Sequence, residues 1–279
     1  MIGNVRTVLS SYALMHRSLA GYFLLVYISV MWLLGCEQPT DGFTGMINGK
    51  DNTVPAPENT TIEPSSSESI TITWDPVPRA VGYKVYRSED GTTYGNTPIY
   101  ETEDSQITSY EDTGLKPTTQ YTYKVSAYNA AGECISSAYT GMTYPTTTLT
   151  VSVTAMSSSS ITITWAAVTG AIGYNIYRGE SANGTYTKIN TVQVTSTSYN
   201  DTGLTASKIY YYKVAAYNNG GEGDKSVYKS TITYPSIPTD ISARGASSSS
   251  IRITWDAVTG ASGYNIYRST SADGEYAKA

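Results

Sequence analysis

Catalysis needs reactive side chains that converge, and few residues in this sequence are of the right type. Carboxylates cluster as Glu101, Glu103 and Asp104 and again as the pair Glu111-Asp112. Paired carboxylates are the machinery of glycoside hydrolysis. The same oxygens, together with Asn200-Asp201, are of the type that binds Ca²⁺. Both clusters lie in polar, loop-like stretches with no apolar pocket implied, and nothing has the spacing of an EF-hand loop. They are expected to be solvated acidic loops. The single histidine, His16, precedes Cys36 in a leading segment expected to be removed. A mature chain without histidine has no Ser-His-Asp or Cys-His catalysis and no His-ligated zinc. The expectation is therefore no catalytic residue, no metal site and no cofactor.

The leading segment carries a different chemistry. Arg6 and Arg17 give a basic start, Leu19 to Leu34 is almost wholly apolar, and Leu33-Leu34-Gly35-Cys36 follows. A basic region, an apolar region and a small residue in that order make an export signal. The ending resembles the lipobox of bacterial lipoproteins. That resemblance implies cleavage before Cys36, a diacylglycerol thioether on its sulfur and an acylated new amine. Several buried acyl chains hold a protein stably at a membrane, whereas one holds it marginally. The alternative is an uncleaved transmembrane anchor, since the apolar run is about long enough to span a bilayer. Both place the rest of the chain outside the cytoplasm, because the arginines stay inside. Residue 37 is Glu, not the Asp associated in some bacteria with inner-membrane retention. The expected location is thus the bacterial cell envelope, at the outer membrane or cell surface. If Cys36 is lipidated, Cys134 is the only thiol left and no internal disulfide forms. Cys134 then reads as an incidental thiol beside Gly132-Glu133, with an intermolecular disulfide as the alternative.

After cleavage before Cys36 the chain would keep 16 basic and 23 acidic residues. A net negative charge argues against a nucleic-acid partner. The 26 Tyr against 2 Phe, with abundant Ser and Thr, indicate hydroxyl-rich β-strands.

Those strands recur. Ile70-Thr71-Ile72-Thr73-Trp74, Ile161-Thr162-Ile163-Thr164-Trp165 and Ile251-Arg252-Ile253-Thr254-Trp255 are 91 and 90 residues apart. So are Gly82-Tyr83-Lys84-Val85-Tyr86-Arg87, Gly173-Tyr174-Asn175-Ile176-Tyr177-Arg178 and Gly263-Tyr264-Asn265-Ile266-Tyr267-Arg268. Two landmarks with one period mean repeated domains. Within each repeat the period is two: Ile70, Ile72 and Trp74 share one face, Thr71 and Thr73 the other. Such alternation marks half-buried antiparallel strands. Asp90-Gly91, Asn183-Gly184 and Asp273-Gly274 predict tight hairpin turns. Short strands punctuated by turns imply a β-sandwich.

The order of these landmarks resembles the fibronectin type III domain over residues 55 to 279. The early Trp matches (Trp74, Trp165, Trp255), and so does the Gly-Tyr-x-Val/Ile-Tyr-Arg strand. Leu115-Lys116-Pro117-Thr118-Thr119-Gln120-Tyr121 resembles that family's tyrosine corner, in which the Tyr hydroxyl bonds to upstream backbone. Leu204 to Tyr210 keeps Leu and Tyr but lacks the Pro, so the second corner is expected to be looser. The fold expected is all-β: tandem immunoglobulin-like (fibronectin type III) sandwiches behind an N-terminal signal or anchor. The domains are expected at 1-35 (signal), 36-54 (flexible tether), 55-145, 146-235 and 236-279. In the last, Ser247 to Ala279 agrees with Ser157 to Ile189 at 24 of 33 positions and then stops. It reads as a truncated third domain whose Ile253, Trp255 and Ile266 have no second sheet to bury them, and whose missing continuation is a place for an activity.

Parity puts Tyr86, Tyr128, Tyr177, Tyr211 and Tyr217 on the face opposite the core. The resemblance makes their strands neighbours in one sheet. Outward rings there form a candidate surface for stacking on sugars or docking a protein. Cross-strand pairing that stabilises the sheet is their alternative role. The function expected is a non-catalytic, membrane-anchored spacer or adhesion module with a protein or polysaccharide ligand. The rival is the front part of a carbohydrate-active enzyme.

Overall fold

The computed structural model describes residues 52–146 and 150–279, and every element in it is a β-strand. These residues divide into two compact units, one holding most of the first repeat and the other the remainder of the chain.

In the first repeat β1 (Thr61–Pro64), β2 (Ser69–Thr73), β3 (Gly82–Ser88), β4 (Tyr100–Thr102), β5 (Ser109–Thr113), β6 (Gln120–Asn129), β7 (Gly132–Ile135) and β8 (Tyr139–Met142) form two sheets. One has the order β1-β2-β5; the other runs β4-β3-β6-β7, with β8 also on β6. The second repeat copies this with β9 (Val151–Ala155), β10 (Ser160–Trp165), β11 (Gly173–Gly179), β12 (Thr187–Lys188), β13 (Ser198–Thr202), β14 (Ile209–Asn218), β15 (Gly221–Glu222) and β16 (Lys229–Ile232). Its sheets are β13-β10-β9 and β12-β11-β14-β15, with β16 on β14. Strand alternation decides which side chains enter the core. Ile161, Ile163, Ile176, Tyr212 and Val214 are fully buried, and Trp165 lies 5.3 Å from the ring of Tyr174. Trp74 and Tyr83 repeat that pair at 5.3 Å.

Hydroxyls in these cores act as connectors. Val77 N donates to Tyr83 Oη at 2.8 Å and Val168 N to Tyr174 Oη at 3.0 Å, which ties each loop after the tryptophan to the next strand. Thr143 and Thr233, just past β8 and β16, are almost fully buried. Their Oγ1 atoms donate to Lys116 O at 2.7 Å and Thr205 O at 2.6 Å, fastening the last strand to the corner loop.

Three sequence expectations need correction. The second corner is not loosened by its missing proline: Thr205 N donates to Tyr210 Oη at 3.0 Å. The left-handed residue before each corner Tyr is also preserved, Thr118 at φ 52° and Ser207 at φ 53°. Two-residue hairpin turns do not form at Asp90-Gly91 and Asn183-Gly184. Longer loops join β3 to β4 and β11 to β12. Asp90 Oδ1 instead accepts from Thr92 N and Thr93 N at 2.8 and 2.6 Å, turning the loop through a side chain.

The third correction concerns the acidic pairs. Asp112 and Asp201 lie in β5 and β13, not in solvated loops, and both are buried. Arg178 Nη1 donates to both Asp201 oxygens at 3.0 Å, and Tyr212 Oη donates to Oδ2 at 2.8 Å. Arg87 reaches Asp112 at 3.0 and 2.9 Å, with Tyr123 at 2.9 Å. In each sandwich the carboxylate belongs to one sheet and both donors to the other.

The third repeat holds the pairs β17 (Ser242–Ser247) with β18 (Ser250–Thr254) and β19 (Tyr267–Arg268) with β20 (Ala277–Lys278). Its local geometry is kept, since Val258 N donates to Tyr264 Oη at 2.7 Å. Ile251 is 68% exposed where Ile161 is 0%.

Removing one partner of the Asp201 bridge strands a guanidinium and a buried phenol. Asp201→Ala is expected to cost about 2–3 kcal/mol, read as a lowered urea midpoint for the second domain. Glu180→Ala, which breaks the exposed Glu180–Lys208 pair, should leave that midpoint essentially unmoved.

Candidate binding face

The face away from the core of β3, β6 and β7 carries Lys84, Tyr86, Ser126, Tyr128 and Glu133. Register brings them together: Lys84 opposes Ser126, and Tyr128 opposes Glu133. Lys84 Nζ donates to Glu133 Oε2 at 2.9 Å, and Tyr86 Oη donates to Oε1 at 3.0 Å. The Lys84 ammonium also sits 4.9 Å from the centre of the Tyr128 ring. That ring fits because residue 82 is glycine. A Cβ there would meet Thr102 O at 1.9 Å and Tyr128 Oη at 2.7 Å.

Charge and burial shape the titration of this cluster. Burial alone would raise the Glu133 carboxyl. The nearby Ser126 hydroxyl, which falls outside strict hydrogen-bond geometry, acts with Lys84 and Tyr86 to hold it below the usual carboxylate range. The hydrogen bond from Lys84 to Glu133 likewise raises the lysine, against desolvation.

The second repeat places Asn175, Tyr177, Tyr217 and Glu222 in the same way. Asn175 Nδ2 donates to Glu222 Oε2. Tyr177 Oη donates to Oε1 at 2.6 Å. Tyr217 opposes Glu222 in register, and its ring lies over Gly173, where a Cβ would meet the hydroxyl at 2.5 Å. Lys225 Nζ stands 4.4 Å from the centre of the Tyr177 ring.

The five tyrosines singled out from parity thus lie on the outer faces. Tyr86 and Tyr128 gather around Glu133, and Tyr177 and Tyr217 around Glu222. Tyr211 stands apart, packed edge-on against Tyr228 at 5.5 Å. Tyr86 and Tyr177 are held as donors to carboxylates rather than left as open stacking platforms. Sequence reasoning missed both glutamates, although Gly-Glu follows the Tyr-x-Tyr-x-Val-x-Ala strand at the same offset in each repeat. Among the described residues no group of three His, Cys, Asp or Glu is placed to hold a metal ion.

Cys36 lies outside the described residues, as do His16 and the apolar leading segment. Among the described residues no helix is long and apolar enough to cross a membrane. Cys134 is buried and disulfide-bonded, which corrects its reading as an incidental thiol.

The family described as the fibronectin type III domain matches residues 55–141 and 144–232. Exoglucanase B of Cellulomonas fimi is 34% identical over 242 residues, covering 75% of this chain and 21% of that protein. Poly(3-hydroxybutyrate) depolymerase of Delftia acidovorans is 51% identical over 77 residues, covering 27% of this chain and 14% of that protein. The chain therefore spans only 21% and 14% of the length of these two relatives. Among solved structures, the FN1–FN3 domains of chicken CNTN1 align with a TM-score of 0.42 and 26% identity, over 64% of this chain and 67% of that one.

The outer-face phenols should resist alkali. Tyr86 and Tyr177 are pushed above the ordinary value of 10.0, first by burial and then by their bonds to Glu133 and Glu222. A raised folded value means their contribution to stability is full below pH 10.0 and is lost as pH rises through the folded value. In an ultraviolet titration, Tyr86→Phe and Tyr177→Phe should each remove a phenol from the late-ionising group, not from the group titrating near 10.0. Glu133 has the opposite sign. Its contribution is full above 4.5 and is lost as pH falls through its lowered folded value. Glu133→Gln should flatten that acid limb in a pH series of urea midpoints.

Proposed function

The chain belongs to the fibronectin type III domain family, and on that premise we propose that it is a non-catalytic, lipid-anchored extracytoplasmic protein. Its tandem domains act as a spacer or as an adhesion module for a protein or polysaccharide of the cell envelope. The observation that carries this reading is the repeated outer face, where an aromatic and carboxylate cluster is built twice on the same register. The carboxylates that first suggested chemistry speak against catalysis in these domains. Asp112 and Asp201 are consumed by ion pairs that join the sheets.

A second reading is favoured by the exoglucanase B likeness, which runs over 75% of this chain. On that reading the domains accompany a carbohydrate-active catalytic domain. The coding sequence after codon 279 discriminates: an in-frame catalytic domain favours the second reading, another β repeat the first.

The anchor rests on the Leu33-Leu34-Gly35-Cys36 motif. The sequence has two cysteines, so a thioether on Cys36 and an intramolecular disulfide of Cys134 exclude each other. Radiolabelled palmitate decides the point. Label is expected in the wild-type chain and absent from Cys36→Ser; equal labelling of both sinks the anchor. For the binding face, glycan-array and pull-down signals should fall at least tenfold in the double variant Tyr86→Ala, Tyr177→Ala. Undiminished signals would remove those rings from the contact.

A further inference from the structure

The two outer faces differ at one position, and the first repeat shows what the difference means. There an ammonium, that of Lys84, fills the angle between a carboxylate and an aromatic face, 2.9 Å from Glu133 and 4.9 Å from the Tyr128 ring centre. Glu101 adds a second carboxylate at 3.9 Å. In the second repeat the receiving half is rebuilt. Glu222 opposes Tyr217 as Glu133 opposes Tyr128. Tyr217 covers Gly173 as Tyr128 covers Gly82. The lysine is not repeated: Asn175 stands in its place, opposite Ala215 where Lys84 opposes Ser126.

Asparagine is too short to fill the angle, and an open cleft of about 330 Å³ lies there. Its walls include Asn175, Asn190, Gln193, Tyr217, Glu222 and, at the rim, Lys188. The Glu222 carboxylate accepts from Asn175 and Tyr177 and keeps lone-pair directions for another donor. Lys225 is the cation paired with it, at 3.9 Å and half-exposed, a full ångström longer than the Lys84–Glu133 contact. Its ammonium faces the Tyr177 ring instead.

We propose that this cleft binds a primary ammonium carried on a hydroxylated ligand, of the amino-sugar class. The ammonium takes the position that Lys84 holds in the first repeat, bonded to Glu222 and facing Tyr217. Charge-assisted hydrogen bonding and cation–π attraction act together there. The amide-rich wall suits hydroxyl groups better than an alkyl stem. Lys188 at the rim opposes a second positive charge, which disfavours polyamines and lysine-rich peptides. This assignment rests on the binding-module reading and names the ligand chemistry for one of its faces.

Calorimetric titration of the full chain with glucosamine, N-acetylglucosamine and Nα-acetyl-lysine methylamide tests it. Glucosamine should bind at one site, and acetylation of its nitrogen should weaken binding at least tenfold. Glu222→Gln should also weaken it at least tenfold. Asn175→Lys should abolish it by supplying an internal ammonium, in an arrangement the first repeat already folds with. Lys225→Met should strengthen it severalfold by removing a competitor. Near-ultraviolet circular dichroism checks that each variant is folded. Absence of glucosamine binding, equal binding of the acetylated sugar, insensitivity to Glu222→Gln and Asn175→Lys, or tighter binding of the lysine derivative would each overturn the proposal. Retention on a polysaccharide or protein partner that Asn175→Lys leaves unchanged would overturn it while leaving the binding-module reading intact.

Discussion

One buried carboxylate holds each sandwich together in a way that apolar packing does not. Hydrophobic contact brings two sheets face to face without fixing one position over another. The Asp201 carboxylate, with Arg178 and Tyr212 as donors, joins β13 to β11 and β14 at one defined place. Asp112, Arg87 and Tyr123 do the same in the first domain. The ion is affordable because both oxygens are bonded and the guanidinium is only partly withdrawn from water. With the sheets fixed, the Trp–Tyr pairs beneath them and the loops above them follow.

The same rule explains the heavy use of tyrosine. Tyr83 and Tyr174 accept from loop amides, Tyr123 and Tyr212 donate to the bridging carboxylates, and Tyr210 accepts from its corner. Phenylalanine would fill these spaces equally well and satisfy none of the polar groups around them. A chain rich in Tyr and poor in Phe has a core wired by hydrogen bonds as well as packed.

Much of this was legible in the residues. The Ile-Thr-Ile-Thr-Trp and Gly-Tyr-x-Val/Ile-Tyr strings show strands because their period is two and their hydroxyls alternate with apolar groups. The outward parity of Tyr86, Tyr128, Tyr177, Tyr211 and Tyr217 follows from the same count. The bridge was available to that count as well: Arg87 shares a face with Tyr83 and Val85, and Asp112 with Tyr110. Charge at these positions suggests solvent, whereas strand parity turns them inward. The glutamate clusters were harder to see, since Lys84 and Glu133 meet through pairing across three strands and residue type alone does not report it. The loops around Asp90 and Asn183 misled because the turn signal is local, whereas the strand ends that decide loop length are set by the sheet.

The near-identity of the second and third repeats also has a kinetic side. Residues 263–268 carry almost the same pattern as β11, the strand that β14 must find. Two nearly equivalent strands in one chain compete for a single partner, and misassembly of this kind is a characteristic failure of repeat proteins. Synthesis from the N-terminus favours the correct outcome, because β11 and β14 are both complete before residue 263 is made. Refolding from denaturant removes that head start. Order of appearance thus discriminates where sequence nearly does not.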